Sequence, residues 1–179
     1  MSRVGTKRSD RRWEDPDGTV WASRFEYEVF CILRDATTEA GSLVRKCEQG
    51  GVNTFHYHTP VRQARCVQCG SGQVVQERTY TPDVCVTTRS KSGLPSTCYV
   101  EIKGYFPAEK RGLLRHFRQT GPDIDLVVVA QANHWVTKGR TRLSDYFARY
   151  LKDVPFYYLT GKGKTEDIAD AIFRYERAA

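Results

Sequence analysis

Thr81-Pro82-Asp83-Val84-Cys85-Val86-Thr87-Thr88 and Thr97-Cys98-Tyr99-Val100-Glu101-Ile102-Lys103-Gly104 are the two stretches on which the fold turns. Both are strand-like, and the segment between them, Arg89-Ser90-Lys91-Ser92-Gly93-Leu94-Pro95-Ser96, is polar with the Gly and Pro of a hairpin connection. Side chains alternate along a strand, so Glu101 and Lys103 leave from one face. Folding the hairpin is expected to bring Asp83 beside Glu101, with Lys103 one pleat away. Two carboxylates beside an ammonium suit phosphodiester hydrolysis with a divalent metal, which polarises phosphate and acidifies water while the lysine orients that water. Single charges on strands are usually solvated, so a surface hairpin is the competing reading. What favours a site is the way the charges break an apolar pattern and the elements that follow.

Working outward, Pro107 to Gln119 predicts a helix with Pro near its first turn. Arg111, Arg115 and Arg118 recur on it at spacings of four and three, beside Leu113, Leu114 and Phe117. Asp125 to Ala130 reads as a buried strand, Leu143 to Leu151 as a short helix, Phe156 to Leu159 as a strand and Thr165 to Arg177 as a final helix. Upstream, Trp21 to Thr37 predicts a helix with Phe25, Val29, Ile32 and Leu33 in a stripe and Glu26 beside it. Turns around Gly50-Gly51 precede a strand over Thr54–His58, and a second strand runs from Gln73 to Tyr80. The class expected is mixed α/β, a small central sheet with helices packed against it. Residues 1–20 read as a flexible basic arm, and 21–179 as one domain.

The pattern resembles the PD-(D/E)XK nuclease superfamily, and more closely the bacteriophage endonuclease I family of Holliday-junction resolvases. The stretches that carry the resemblance are Thr79-Tyr80-Thr81-Pro82-Asp83, Val100-Glu101-Ile102-Lys103-Gly104, Pro122-Asp123-Ile124-Asp125-Leu126-Val127-Val128-Val129 and Ser23-Arg24-Phe25-Glu26-Tyr27-Glu28-Val29. It implies a restriction-endonuclease-like fold whose catalytic residues are Glu26, Asp83, Glu101 and Lys103. It also implies Mg²⁺ or Mn²⁺ held by Asp83, Glu101 and the Ile102 carbonyl, with help from Glu26. By the same resemblance the products carry a 5′-phosphate and a 3′-hydroxyl, the substrate is branched or double-stranded DNA, the enzyme is a homodimer, and the source is a phage. Two alternatives stay open: another nicking, repair or packaging nuclease of the superfamily, and a non-catalytic DNA-binding module.

A formal charge of +7, from 28 basic and 21 acidic residues, agrees with a polyanionic partner. The candidate DNA contacts are Lys7, Arg8, Arg11 and Arg12 in the arm, Lys110, Arg111, Arg115 and Arg118 on the helix after the site, and Lys138, Arg140 and Arg142 further on. A solvated tail and a solvated helix face are the bland readings of the first two groups. No apolar run reaches the roughly 20 residues of a membrane span, and the N-terminus has no signal-peptide core, so a cytoplasmic protein is expected.

Cys66-Val67-Gln68-Cys69-Gly70 departs from the family pattern, as an insertion at about 60–73. Two thiolates on a tight turn suit tetrahedral zinc, and a structural zinc knuckle is the preferred reading. About four ligands are needed, so His56, His58, Cys47 or the same pair of another subunit must complete the set. Reduced free thiols are the alternative. A redox role lacks a thioredoxin-like setting, and six cysteines in a cytoplasmic chain do not suggest a disulfide scaffold. His116 and His134 read as surface or packing residues, and Gly161-Lys162-Gly163-Lys164 is too short to cradle nucleotide phosphates.

Overall fold

The hairpin forms at the centre of a five-stranded sheet. The protein is described by a computed structural model covering residues 12–38, 42–65, 73–89, 94–137 and 140–159. In chain order the elements are β1 (Trp13–Glu14), β2 (Val20–Trp21), α1 (Arg24–Thr38), β3 (Leu43–Lys46), β4 (Phe55–Arg65), β5 (Gln73–Tyr80), β6 (Val84–Arg89) and β7 (Pro95–Lys103). They continue with α2 (Ala108–Thr120), β8 (Asp125–Ala130), β9 (Trp135–Thr137), β10 (Thr141–Arg142), α3 (Leu143–Tyr150) and β11 (Phe156–Tyr158). The expected helix at Thr165–Arg177 and the Gly161–Lys164 turn lie outside the described residues.

The main sheet has the order β11-β8-β7-β6-β3. β11, β8 and β7 run parallel, while β6 is antiparallel to both β7 and β3, so the sheet is mixed. Val84 pairs with Val100 and Arg89 with Pro95 in the hairpin. β7 therefore runs three residues past the end of β6. β8 is buried from Leu126 to Ala130 on both of its faces, which explains its unbroken apolar run. Val127 and Val129 pack with Phe25, Val29 and Leu33 of α1, whereas Leu126, Val128 and Ala130 meet Leu114, Phe117, Leu143 and Phe147 of α2 and α3. The sheet is thus the middle of three layers. Among the described residues no helix is long and apolar enough to cross a membrane.

β4 and β5 form a separate antiparallel ribbon, from Phe55↔Tyr80 to Arg65↔Gln73. Its base is tied to α2, since the Thr120 hydroxyl accepts the His58 amide at 3.1 Å and donates to the His58 carbonyl at 2.7 Å. Phe117, fully buried on α2, joins the same base: its ring lies 6.2 Å from Phe55, 5.6 Å from Tyr57 and 4.2 Å from Tyr80. Phe117→Ala is expected to cost about 3–5 kcal/mol, measured by urea denaturation. Gly121, next to it, has no room for a side chain, because a Cβ there would stand 2.7 Å from the Phe117 carbonyl oxygen.

Residues 13–21, within the segment expected to be an arm, form a short antiparallel ribbon. Trp13 pairs with Trp21 and Glu14 with Val20. Asp15 closes the turn between them: Oδ1 accepts the Asp17 and Thr19 amides, and Oδ2 accepts the Trp21 indole N–H. α1 begins at Arg24 rather than Trp21, because the Ser23 hydroxyl accepts the Glu26 amide at 3.2 Å and sets the first turn.

Candidate active site

The overhang of β7 beyond β6 creates the site. Where β6 stops, Asp83 turns its carboxylate across the exposed edge of β7, and Oδ2 accepts the Ile102 amide at 2.6 Å. Lys103 Nζ lies 3.0 Å from Asp83 Oδ2 and 2.7 Å from Glu101 Oε1, so one ammonium bridges both carboxylates. The Ile102 N–H faces the β6 side, as does the Val100 carbonyl that accepts the Asp83 amide. A strand residue's N–H and C=O share one edge, so the Ile102 carbonyl faces Asp83 as well. Glu26, in the first turn of α1, lines the same cleft of about 350 Å³, with Lys110 on α2 also in its wall.

Electrostatics at the site follow from burial. Glu101 is only 7 % exposed. Burial first, and then the Asp83 charge, push its carboxyl pKa up to about 7, against the pull of Lys103 and Tyr80. Glu26 is raised as well, by burial and then by Asp83, although its Oε2 accepts the Ala22 amide at 2.8 Å. Burial opposes the Lys103 ammonium, but Asp83 and Glu101 outweigh it and hold its pKa above the ordinary lysine value. Lys103 is a fixed cation and donor in this arrangement, not a base.

Tyr80 had no role in the sequence reading, though it stands in the strand entry to Asp83. Its hydroxyl donates to Glu101 Oε2 at 2.8 Å and leaves Oε1 to Lys103. Burial, then Glu101, keep that hydroxyl well above the usual tyrosine pKa. Alternation along a strand cannot reveal such a contact between two separate ribbons. Tyr80→Phe keeps the ring on Phe117 but removes the donor, which favours ionised Glu101. The expected result is a Glu101 titration displaced to still higher pH, by about one unit, read by carboxyl carbon NMR of the metal-free protein.

Among the described residues no group of three or more His, Cys, Asp and Glu side chains is gathered closely enough to hold a metal ion. The assembled unit is a carboxylate pair bridged by one lysine, with a third carboxylate lining the same cleft. Its donors are all oxygen, the set that suits a hard divalent cation rather than zinc or copper.

The zinc expectation fares differently. Cys66 and Cys69 lie outside the described residues. His56 is exposed and hydrogen-bonded to Glu77 at 2.8 Å, and the backbone of His58 is fastened to Thr120. β4 extends to Arg65, which puts His58 on the order of 20 Å along the ribbon from its last residue. Cys47 is buried in the cleft wall, and its thiol hydrogen-bonds Cys85. That bond is the chief cause holding the Cys85 thiol down, at about 6.

The basic residues divide. Arg118 is engaged within the fold: it donates to Asp153 at 2.7 Å, to Asp123 at 3.1 Å and to the Ile124 carbonyl at 2.8 Å, with 11 % of its side chain exposed. Arg111 is not on a free ridge beside the cleft. It is 8 % exposed, with its guanidinium over Tyr146 and one donor on the Phe106 carbonyl. Arg115 lies over Tyr150, Arg142 over Trp135, and Arg12 and Arg140 are exposed. Lys7, Arg8, Arg11 and Lys138 lie outside the described residues.

No family model matches this chain, and no curated protein matches it either.

Proposed function

We propose that the chain is a metal-dependent DNA endonuclease with a restriction-endonuclease-like fold of the PD-(D/E)XK type, acting on four-way junctions. The observation that carries this reading is the meeting of Asp83, Glu101 and Lys103 at the overhanging end of β7, in a cleft that Glu26 and Lys110 also line. Asp83, Glu101 and the Ile102 carbonyl would hold the divalent cation, with Glu26 as a further acidic group. When bound, that ion supplies an acidified water and neutralises charge on the scissile phosphate. Tyr80 fixes the rotation of Glu101. Lys103, held as an ammonium, orients the attacking water and offsets negative charge as the phosphorane-like transition state forms. Lys110 stands where it can meet a flanking phosphate.

Junction selectivity in this reading comes from two copies of the chain presenting two clefts to opposing strands, with little base readout. A labelled four-way junction and a linear duplex of the same sequence, each with Mg²⁺ and then with EDTA, test it. Paired, metal-dependent nicks on the junction alone are the expected result. Equal cutting of both substrates would discard the junction while keeping the chemistry. Binding without cutting in Mg²⁺ and in Mn²⁺ would overturn the nuclease.

A further inference from the structure

α2 has two working sides. Lys110, Leu113 and Leu114 line the cleft, whereas Arg111 and Arg115, one helical turn apart, face α3. There the Arg111 guanidinium lies 5.3 Å from the centroid of Tyr146, and that of Arg115 lies 5.9 Å from Tyr150. Arg149 adds a second cation to Tyr150 at 5.3 Å. Arg142, at the start of α3, stacks over Trp135 at 3.8 Å. Arg142, Tyr146 and Arg149 recur at intervals of four and three residues, so they share one face of the helix.

This face holds positive charge that the fold does not neutralise. Arg24, Arg34 and Arg118 each have a carboxylate partner. Among the described residues none of Arg111, Arg115, Arg142 and Arg149 forms an ion pair with a carboxylate. The Nε atoms of Arg111 and Arg115 are buried with no hydrogen-bond partner, so these two act on a ligand chiefly through their field, and Arg142 and Arg149 are the exposed cations of the face. Tyr150 and Trp135 are exposed beside them. From Arg142 to Arg149 the helix advances about 10 Å, roughly the rise of three phosphates along one DNA strand.

We propose that the arginine–tyrosine face of α2 and α3 is a second contact for duplex DNA, gripping backbone phosphates away from the cleft that holds Asp83 and Glu101. The choice of occupant rests on the nuclease reading above; the charge and the geometry do not. The ring contacts, closest for Arg142 on Trp135, restrain these side chains before a phosphate arrives, so less freedom is lost on binding. The contact reads no bases.

The test is binding of a labelled duplex in EDTA across a salt series, by fluorescence anisotropy. Arg142→Gln/Arg149→Gln removes two exposed charges from the face, and Arg34→Gln on α1 is the charge control. The double variant should bind about tenfold or more weakly, with a log–log salt slope shallower by about 2, while Arg34→Gln keeps the wild-type slope. Affinity and slope in the double variant no different from those of Arg34→Gln would overturn the proposal. If the double variant unfolds, Arg149→Gln alone gives the same reading with a slope change of about 1. Cleavage plays no part in these measurements. A chain that never cuts, yet loses binding in the variants, overturns only the nuclease; a chain that cuts, with binding unchanged in the variants, overturns only this face.

Discussion

Glu101→Gln is expected to lower junction cleavage by about 10³-fold or more while leaving binding in EDTA largely intact. The same change should make the metal-free protein more stable at pH 8. Glu101 has its pKa raised, chiefly by burial, to about 7 from an ordinary 4.5. The native state therefore holds the proton more tightly than the unfolded chain does. A carboxyl of this kind contributes stability that is complete below about pH 4.5 and is lost as pH rises through about 7. The amide that replaces it in the variant has no such proton to lose. Relative to wild type, the variant should gain about 2–3 kcal/mol between pH 5 and pH 8, seen as crossing thermal midpoints in EDTA at the two pH values. Midpoints that differ by the same amount at both would show that Glu101 is not strained by its surroundings.

Lys103→Met has the opposite signature. The ammonium lies within 3.0 Å of both Asp83 Oδ2 and Glu101 Oε1 and offsets one of their two negative charges. Without it two poorly solvated carboxylates face each other. Breaking a buried ion pair from one side costs about 3–5 kcal/mol, and that cost should appear at pH 8 and shrink by pH 5, where the carboxyls take up protons. Cleavage should vanish as well. Denaturant melts at the two pH values check the first expectation, and the junction assay checks the second. A variant as stable as wild type at pH 8, or one that still cuts, would remove Lys103 from the centre of the site.

Much of this was legible because it depends on local pattern. The β6–β7 hairpin follows from two β-branched runs around a Gly/Pro connection, and its register alone places Asp83 by Glu101. β8 could be read from Leu126–Ala130 because a strand buried on both faces needs no alternation. The β1–β2 turn also had a signal, Asp15-Pro16-Asp17-Gly18 between Trp13 and Trp21, obscured by the basic residues before it. The strand expected over Thr54–His58 is longer in the fold, and runs through Pro60. In a two-stranded ribbon both strands are edges, so a proline is tolerated at position 60 and β4 reaches Arg65, seven residues past the expected end. Arg118 looked like its neighbours on α2, and only tertiary structure brings Asp123 and Asp153 to it. The hydroxyl of Tyr80 against Glu101 was equally invisible, since it joins two sheets that no local spacing relates.

The hairpin that builds the site also separates it from a place where the chain can be altered. Arg89 pairs with Pro95 at one end, and Asp83 stands beyond Val84 at the other, about 20 Å away. Leu94, exposed at that far end, can therefore carry a fluorophore or an affinity tag without moving Asp83, Glu101 or Lys103. That position offers a permissive attachment point from which a single molecule of this protein could be watched on its substrate.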